Sequence, residues 1–160
     1  MKRFLAVFII IFISCSYGAS EELENEIIQA VTESTDAITE STFKYIDTSE
    51  NVVTENFTDK KTIIIFWADY WGVCRRELPV VEKELANISD EYDVIALAHS
   101  QYEPTMEWVN ENLNGKLRIG FSTPELRDYF KIVGQPISIV LDTDGEIISR
   151  TYGEIDLTNF

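Results

Sequence analysis

Apolar and polar positions along the chain fall into three textures. Residues 4–13 (FLAVFIIIFI) form an unbroken apolar run. Residues 19–42 are polar, with Leu23, Ile27, Val31 and Ile38 near helical spacing. From Phe43 onward, short apolar segments alternate with turn-forming ones. FKYI and NVVTENF flank the polar turn DTSEN and predict two short strands. Thr62–Trp67 (TIIIFW) is continuous and β-branched, the mark of a central strand buried on both faces. Between Cys74 and Ile88, apolar residues recur at Leu78, Val81, Leu85 and Ile88, a helix pattern that Pro79 interrupts. Asp93–Ala98 (DVIALA) predicts a second buried strand. Pro104 opens a helix that runs through Leu113 and stops at Asn114-Gly115, and Pro124–Ile132 predicts another short helix. Ile137–Leu141 (ISIVL), the turn DTDG and Glu146–Tyr152 read as a hairpin with Asp-Gly turn chemistry. The predicted order is ββ, βα, βα, α, ββ. That is an α/β domain with a mixed central sheet flanked by helices, parallel crossovers in the middle and an antiparallel hairpin at the end.

The first texture is an address. Lys2 and Arg3 precede the ten-residue apolar run, which as a helix rises only about 15 Å, half the hydrocarbon core. A basic start followed by a short apolar run is the secretory signal pattern. Two endings stay open. Cleavage after Gly18 would use Ser16 and Gly18 as the small flanking residues. Alternatively FISC resembles a bacterial lipobox with Phe12 in place of the usual Leu, making Cys15 the lipidated first residue. The expected organisation is a signal peptide or lipoprotein signal over 1–18, an acidic spacer over 19–42 and a folded domain over 43–160. The expected location is outside the cytoplasm, in a bacterial cell envelope or periplasm, with a lipid anchor at Cys15 under the second ending. Either ending leaves Cys74 as the single thiol, so no intrachain disulfide can close.

Composition narrows the chemistry. A chain of 160 residues suits one domain with a short appendage. Its formal net charge is −15, and −17 once Lys2 and Arg3 are lost. That excludes nucleic acid, whose phosphates need a surplus of Lys and Arg, and any polybasic membrane patch. A membrane connection would come through lipid or signal anchor alone. Two Cys and one His are too few for the usual zinc ligand sets, and no metal or other cofactor is expected. His99, at the end of a strand, reads as a solvated loop residue. Asp142 and Asp144 with Gly145 read as a hairpin turn, because the Glu that would complete a calcium loop is missing. Asn56 and Asn87 match the glycosylation acceptor pattern.

One segment carries chemistry. FWADYWGVCRRELPVVEKEL resembles the active-site segment F-W-A-x-W-C-x-x-C-R-x-E-L-P of thioredoxin-like proteins of the TlpA/ResA type, exported thiol-disulfide oxidoreductases. VGQPISIVLDTDGEI is similar to the family's V-x-G-x-P-x-x-x-x-I-D-x-x-G, and the resemblance covers roughly Phe43 to Gly153. It implies a thioredoxin fold with an N-terminal β-hairpin. Pro136 would be the cis-proline facing the site, Gln135 would offer its backbone to extended peptides, and Glu77 would be the acid that tunes thiol ionisation. Family members follow the last strand with a C-terminal helix, whereas this sequence stops at IDLTNF after Gly153. Either that helix is missing or the sequence is incomplete; a missing helix would expose one sheet face, with residues 21–39 as the candidate cover.

The departure from the pattern matters as much as the match. Alignment on Cys74-Arg75 and Glu77-Leu78-Pro79 puts Tyr70 at the family Trp and Trp71 at the first cysteine. That cysteine normally attacks the substrate disulfide from the helix N-terminus, and the second thiol resolves the mixed disulfide. Sliding the register by one residue puts Gly72 and Arg75 at the two cysteine positions and loses both. Two functions follow. The first is a degenerate binding or assembly module that holds a protein or peptide partner at Tyr70, Trp71, Gln135 and Pro136. The second is a single-thiol enzyme using Cys74, by mixed-disulfide exchange or as a one-Cys peroxidase with Trp71 in place of the peroxidase Thr. Cys74 is otherwise a small buried hydrophobe, and Trp71 either presents a binding surface or folds down to plug the vacant groove.

Overall fold

The structure, a computed structural model, describes residues 42–57, 59–155 and 157. The signal and almost all of the acidic spacer lie outside the described residues. Strands β1 (Thr42–Ile46) and β2 (Val52–Asn56) form an antiparallel hairpin. There follow β3 (Lys61–Trp67), α1 (Gly72–Ile88), β4 (Tyr92–Ala98), α2 (Tyr102–Asn112), β5 (Arg118–Phe121), α3 (Pro124–Tyr129), β6 (Ile137–Leu141) and β7 (Ile147–Tyr152). All seven strands join one sheet in the order β2-β1-β5-β4-β3-β6-β7. Parallel pairing of β3 with β4 and of β4 with β5 gives the central crossovers. Pairing of β6 with β3 and with β7 is antiparallel.

Alternation along β3 splits its side chains between two cores. Ile63, Ile65 and Trp67 pack with Cys74, Leu78 and Val81 of α1 and Trp108 of α2. Ile64 and Phe66 pack with Phe43 of β1, Ile95 and Leu97 of β4, and Leu126 and Phe130 at α3. Burial on both faces is what the continuous TIIIFW run predicts.

Four details differ from the sequence-based elements. The short strand β5 is an addition. Helix α1 begins at Gly72 and continues through Pro79. The apolar face of α1 explains that continuity, since burying Leu78 and Val81 contributes about 2 kcal/mol each, against about 3 kcal/mol for a proline in a helix interior. Helix α3 stops at Tyr129 rather than Ile132. Lys131 adopts φ 51°, and Ile132 N–H donates back to the Arg127 carbonyl at 2.9 Å, a left-handed helix stop. Finally, the chain turns at Gly153 (φ 87°) after β7 and buries Ile155 and Leu157 in the core on the α1 side. That sheet face was expected to lie open without a terminal helix, but the segment after β7 covers part of it. Hairpin β6–β7 closes as expected, with Asp142 Oδ1 accepting from the backbone N–H groups of Asp144 and Glu146.

Candidate functional site

The site forms where β3 hands over to α1. Trp71 N–H donates to the Ala68 carbonyl at 3.2 Å, and the Trp71 carbonyl accepts from Arg75 N–H at 3.2 Å, so Trp71 is the N-cap of α1. An indole offers no acceptor, and the first turn of the helix has no side-chain cap from this residue. The Trp71 side chain is 46 % exposed, so it stands out to solvent instead of plugging the groove.

Cys74, one turn further in, is a free thiol with 0 % exposure, packed in the core with Trp67 and Leu78. Burial pushes its pKa up. Hydrogen bonds from the backbone at Ala68 and at Cys74 itself oppose the shift, and the charge of Glu77 adds to it. A raised thiol pKa keeps Cys74 protonated near neutral pH, and the protonated form is not the nucleophile. Glu77 is half-buried, and its effect on the thiol runs against activation.

Three loops meet above the helix mouth. The Gln135–Pro136 bond is cis, as the resemblance implies, and the Pro136 carbonyl accepts from Gly153 N–H at 2.9 Å. Gln135 Nε2 donates to Tyr70 Oη at 3.4 Å, and Tyr70 Oη lies 3.2 Å from His99 Nε2. His99 Nδ1 is 3.2 Å from the Trp67 carbonyl. A carbonyl can only accept, so Nδ1 carries the proton; in a neutral ring Nε2 then accepts and Tyr70 donates. Hydrogen bonds therefore run in one direction from Gln135 through Tyr70 and His99 to Trp67. Beside this chain, Asp69 N–H donates to Ser100 Oγ, which lies 2.8 Å from Thr105 Oγ1, and Thr105 Oγ1 donates to Asp69 Oδ1 at 3.2 Å.

Of the residues expected at the site, the structure ties Tyr70 directly to Gln135. Trp71, Cys74 and Glu77 share the first turns of α1, and the Trp71 side chain takes no part in the hydrogen-bond chain. The expectation for His99 is half right: the ring is exposed, yet it braces Tyr70. Its position at the end of a central strand was the available signal. Nothing local in the sequence marks Asp69, Ser100 and Thr105 as a group. The buried indole Nε1 of Trp67, behind the site, has no hydrogen-bond partner among the described residues.

No protein-family model matches the sequence, and no curated protein matches it. Solved structures do match. The thioredoxin domain of a thiol-disulfide oxidoreductase from Bacteroides vulgatus is similar with TM-score 0.64 and 21 % identity, over 78 % of this chain and 93 % of that one. StoA from Bacillus subtilis gives TM-score 0.62 and 21 % identity, over 76 % and 94 %. The pneumococcal exposed lipoprotein thioredoxin from Streptococcus pneumoniae gives 0.62 and 17 %, over 72 % and 92 %. The chain has the thioredoxin fold. Within that fold, its site reads W-x-x-C at the mouth of the first long helix.

Proposed function

We propose that the chain is an exported thioredoxin-fold protein of thiol-disulfide oxidoreductase ancestry that has lost the two-thiol cycle and works as a binding or assembly module. One observation carries this reading. Trp71 occupies the helix N-cap, the position of the attacking thiol in the resembling family, and Cys74 lies fully buried behind it. A dithiol cycle needs an exposed, low-pKa thiol to attack and a second to resolve. Here the first is an indole and the second is a buried thiol with a raised pKa. The same burial weighs against the single-thiol enzyme, whether by mixed disulfide or by peroxide reduction.

The partner is a protein or an extended peptide. Tyr70, tied to Gln135 of the cis-proline loop, and its chain neighbour Trp71 are large exposed aromatics, and such rings anchor partners at small entropic cost. Export rests on the N-terminal pattern, with both endings, cleavage after Gly18 and lipidation at Cys15, retained. A similar solved structure being an exposed lipoprotein is in keeping with it.

The test is thiol chemistry on the folded protein. Cys74 should react slowly with a thiol reagent near neutral pH and rapidly after denaturation. Insulin reduction with dithiothreitol should run no faster with this protein than with its Cys74→Ser variant. Turnover that the Cys74→Ser change abolishes would overturn the proposal. Trp71→Cys should restore a thiol pair one helical turn apart, which forms an internal disulfide under mild oxidation; two thiols that stay reduced would show that position 71 is not the attacking position.

A further inference from the structure

A second concavity opens where the carboxyl ends of β4 and β5 meet β1. Its volume is about 370 Å³, near the lower end of small-molecule sites, which run from about 300 to 1,000 Å³. In open α/β sheets, ligands lie outside the carboxyl ends of the parallel strands, and this cavity has that placement. Tyr70, Trp71, Gln135 and Pro136 do not line it; His99, which braces Tyr70, is the residue that joins it to the aromatic surface beside the cis-proline.

Its walls combine three kinds of chemistry. Ile46, Tyr102 and Phe121 supply an apolar surface, with the Tyr102 and Phe121 rings 5.3 Å apart. Arg127 supplies a cation held in a fixed plane. One guanidinium nitrogen donates to both the carbonyl and Oγ of Ser122, and Ser122 Oγ in turn donates to the Ala98 carbonyl at 3.0 Å. No carboxylate among the described residues pairs with Arg127, in a chain where 28 acidic residues outnumber 13 basic ones. Its remaining N–H donors therefore have no protein acceptor among the described residues. Glu50 supplies an anion at the lining, in a turn that holds it at φ 62°.

We infer that this cavity binds a monocarboxylate with an apolar body. The carboxylate sits on the Arg127 fork, the arrangement a guanidinium favours for bidentate recognition. The apolar body lies against Ile46, Tyr102 and Phe121. Glu50 repels a second negative charge, which selects against dicarboxylates. Two sources carry this chemistry: a small free aryl or alkyl acid, and the C-terminal residue of a peptide.

His99 makes the proposal directly testable, because it lines the cavity and is the single histidine of the chain. The full-length protein is titrated with phenylacetate, with phenylacetamide, and with a short peptide ending in Phe as free acid or as amide. Binding is read by calorimetry and by the imidazole proton resonances of His99. Each acid should bind at least about tenfold more tightly than its amide and should shift the His99 resonances. Arg127→Gln should weaken acid binding about tenfold or more, and Arg127→Lys should weaken it less. A tenfold advantage of the peptide acid over phenylacetate assigns the site to peptide C-termini; equal binding assigns it to small free acids. Equal binding of acid and amide overturns the proposal. So does binding that leaves His99 unmoved, or no binding of either acid at about 10 mM. Should Arg127→Gln fail to fold, the acid–amide comparison on the unaltered chain decides the question alone. Because His99 also contacts Tyr70, the loss of acid binding in Arg127→Gln and the acid–amide difference are the readouts that separate this site from the proposed binding role.

Discussion

Glu82 shows how far one side chain can depart from what its neighbours in sequence suggest. It sits on α1 between apolar positions and would pass for a solvated helix residue, yet it is only 3 % exposed. Its carboxylate accepts from the backbone N–H groups of Asn114, Lys116 and Leu117 and from Asn114 Nδ2, at 2.8–3.2 Å. Burial alone would raise its pKa, but the hydrogen bonds outweigh it and hold the carboxyl below the usual range. A lowered native pKa means stability that is fully present above the unfolded value, about 4.3, and is lost as pH falls through the native one. Urea midpoints should therefore drop as pH falls from about 5 toward 3, and Glu82→Gln should flatten that drop. The same variant should cost about 2 kcal/mol at neutral pH, because an amide NH₂ would face N–H donors. An unchanged neutral-pH midpoint would show that the bonds do not hold α1 to the segment before β5. By contrast, the positions of Cys74 and Trp71 at the start of α1 were legible, since they follow from spacing within one short motif.

At the scale of elements, β5 is where pattern reading failed. Leu117, Ile119 and Phe121 do alternate with Arg118 and Gly120, but the run is short and contains a glycine, which disfavours strands. Its stability comes from partners: β4 alongside in parallel, and β1 meeting it through Ile46 and Phe121. Gly120 is required by that approach. A Cβ there would lie 2.7 Å from Tyr45 Cδ2 and 2.9 Å from the Ile46 carbonyl oxygen. The ring can turn aside, but the carbonyl belongs to the backbone. Gly120→Ala should destabilise the domain by about 1–3 kcal/mol and lower the thermal midpoint by several degrees. A wild-type midpoint would mean that β1 does not pack on β5 as closely as this.

For the molecule as a whole, charge is the dominant long-range term. A net charge of −15 leaves most acidic residues without a basic counterpart, even where Arg118 Nη1 meets Glu55 Oε1 at 2.6 Å. Self-repulsion of this kind loosens the compact state, and salt screens it over about 8 Å at physiological ionic strength. Raising sodium chloride from about 0.01 M to 0.15 M should therefore raise the thermal midpoint by a few degrees. A midpoint that falls with salt would show that attractive pairs outweigh the repulsion. The two cores on either side of β3 set the baseline stability, and both were implied by the uninterrupted apolar strands.

What the sequence determined by itself is local or repetitive: the buried central strands, the hairpin turn at DTDG, the excess of negative charge, and the indole standing where an attacking thiol is expected. Side-chain periodicity reports which face of an element is buried, and a short motif reports its own chemistry. Only the tertiary structure decided that Tyr70 is braced by His99 and Gln135, that Glu82 anchors a distant loop, that Ile155 and Leu157 return to the core, and that Arg127 lines a cavity with Ile46. Each of these joins groups far apart along the chain. No period records such a pairing, because it depends on which loops the sheet order brings to the same end.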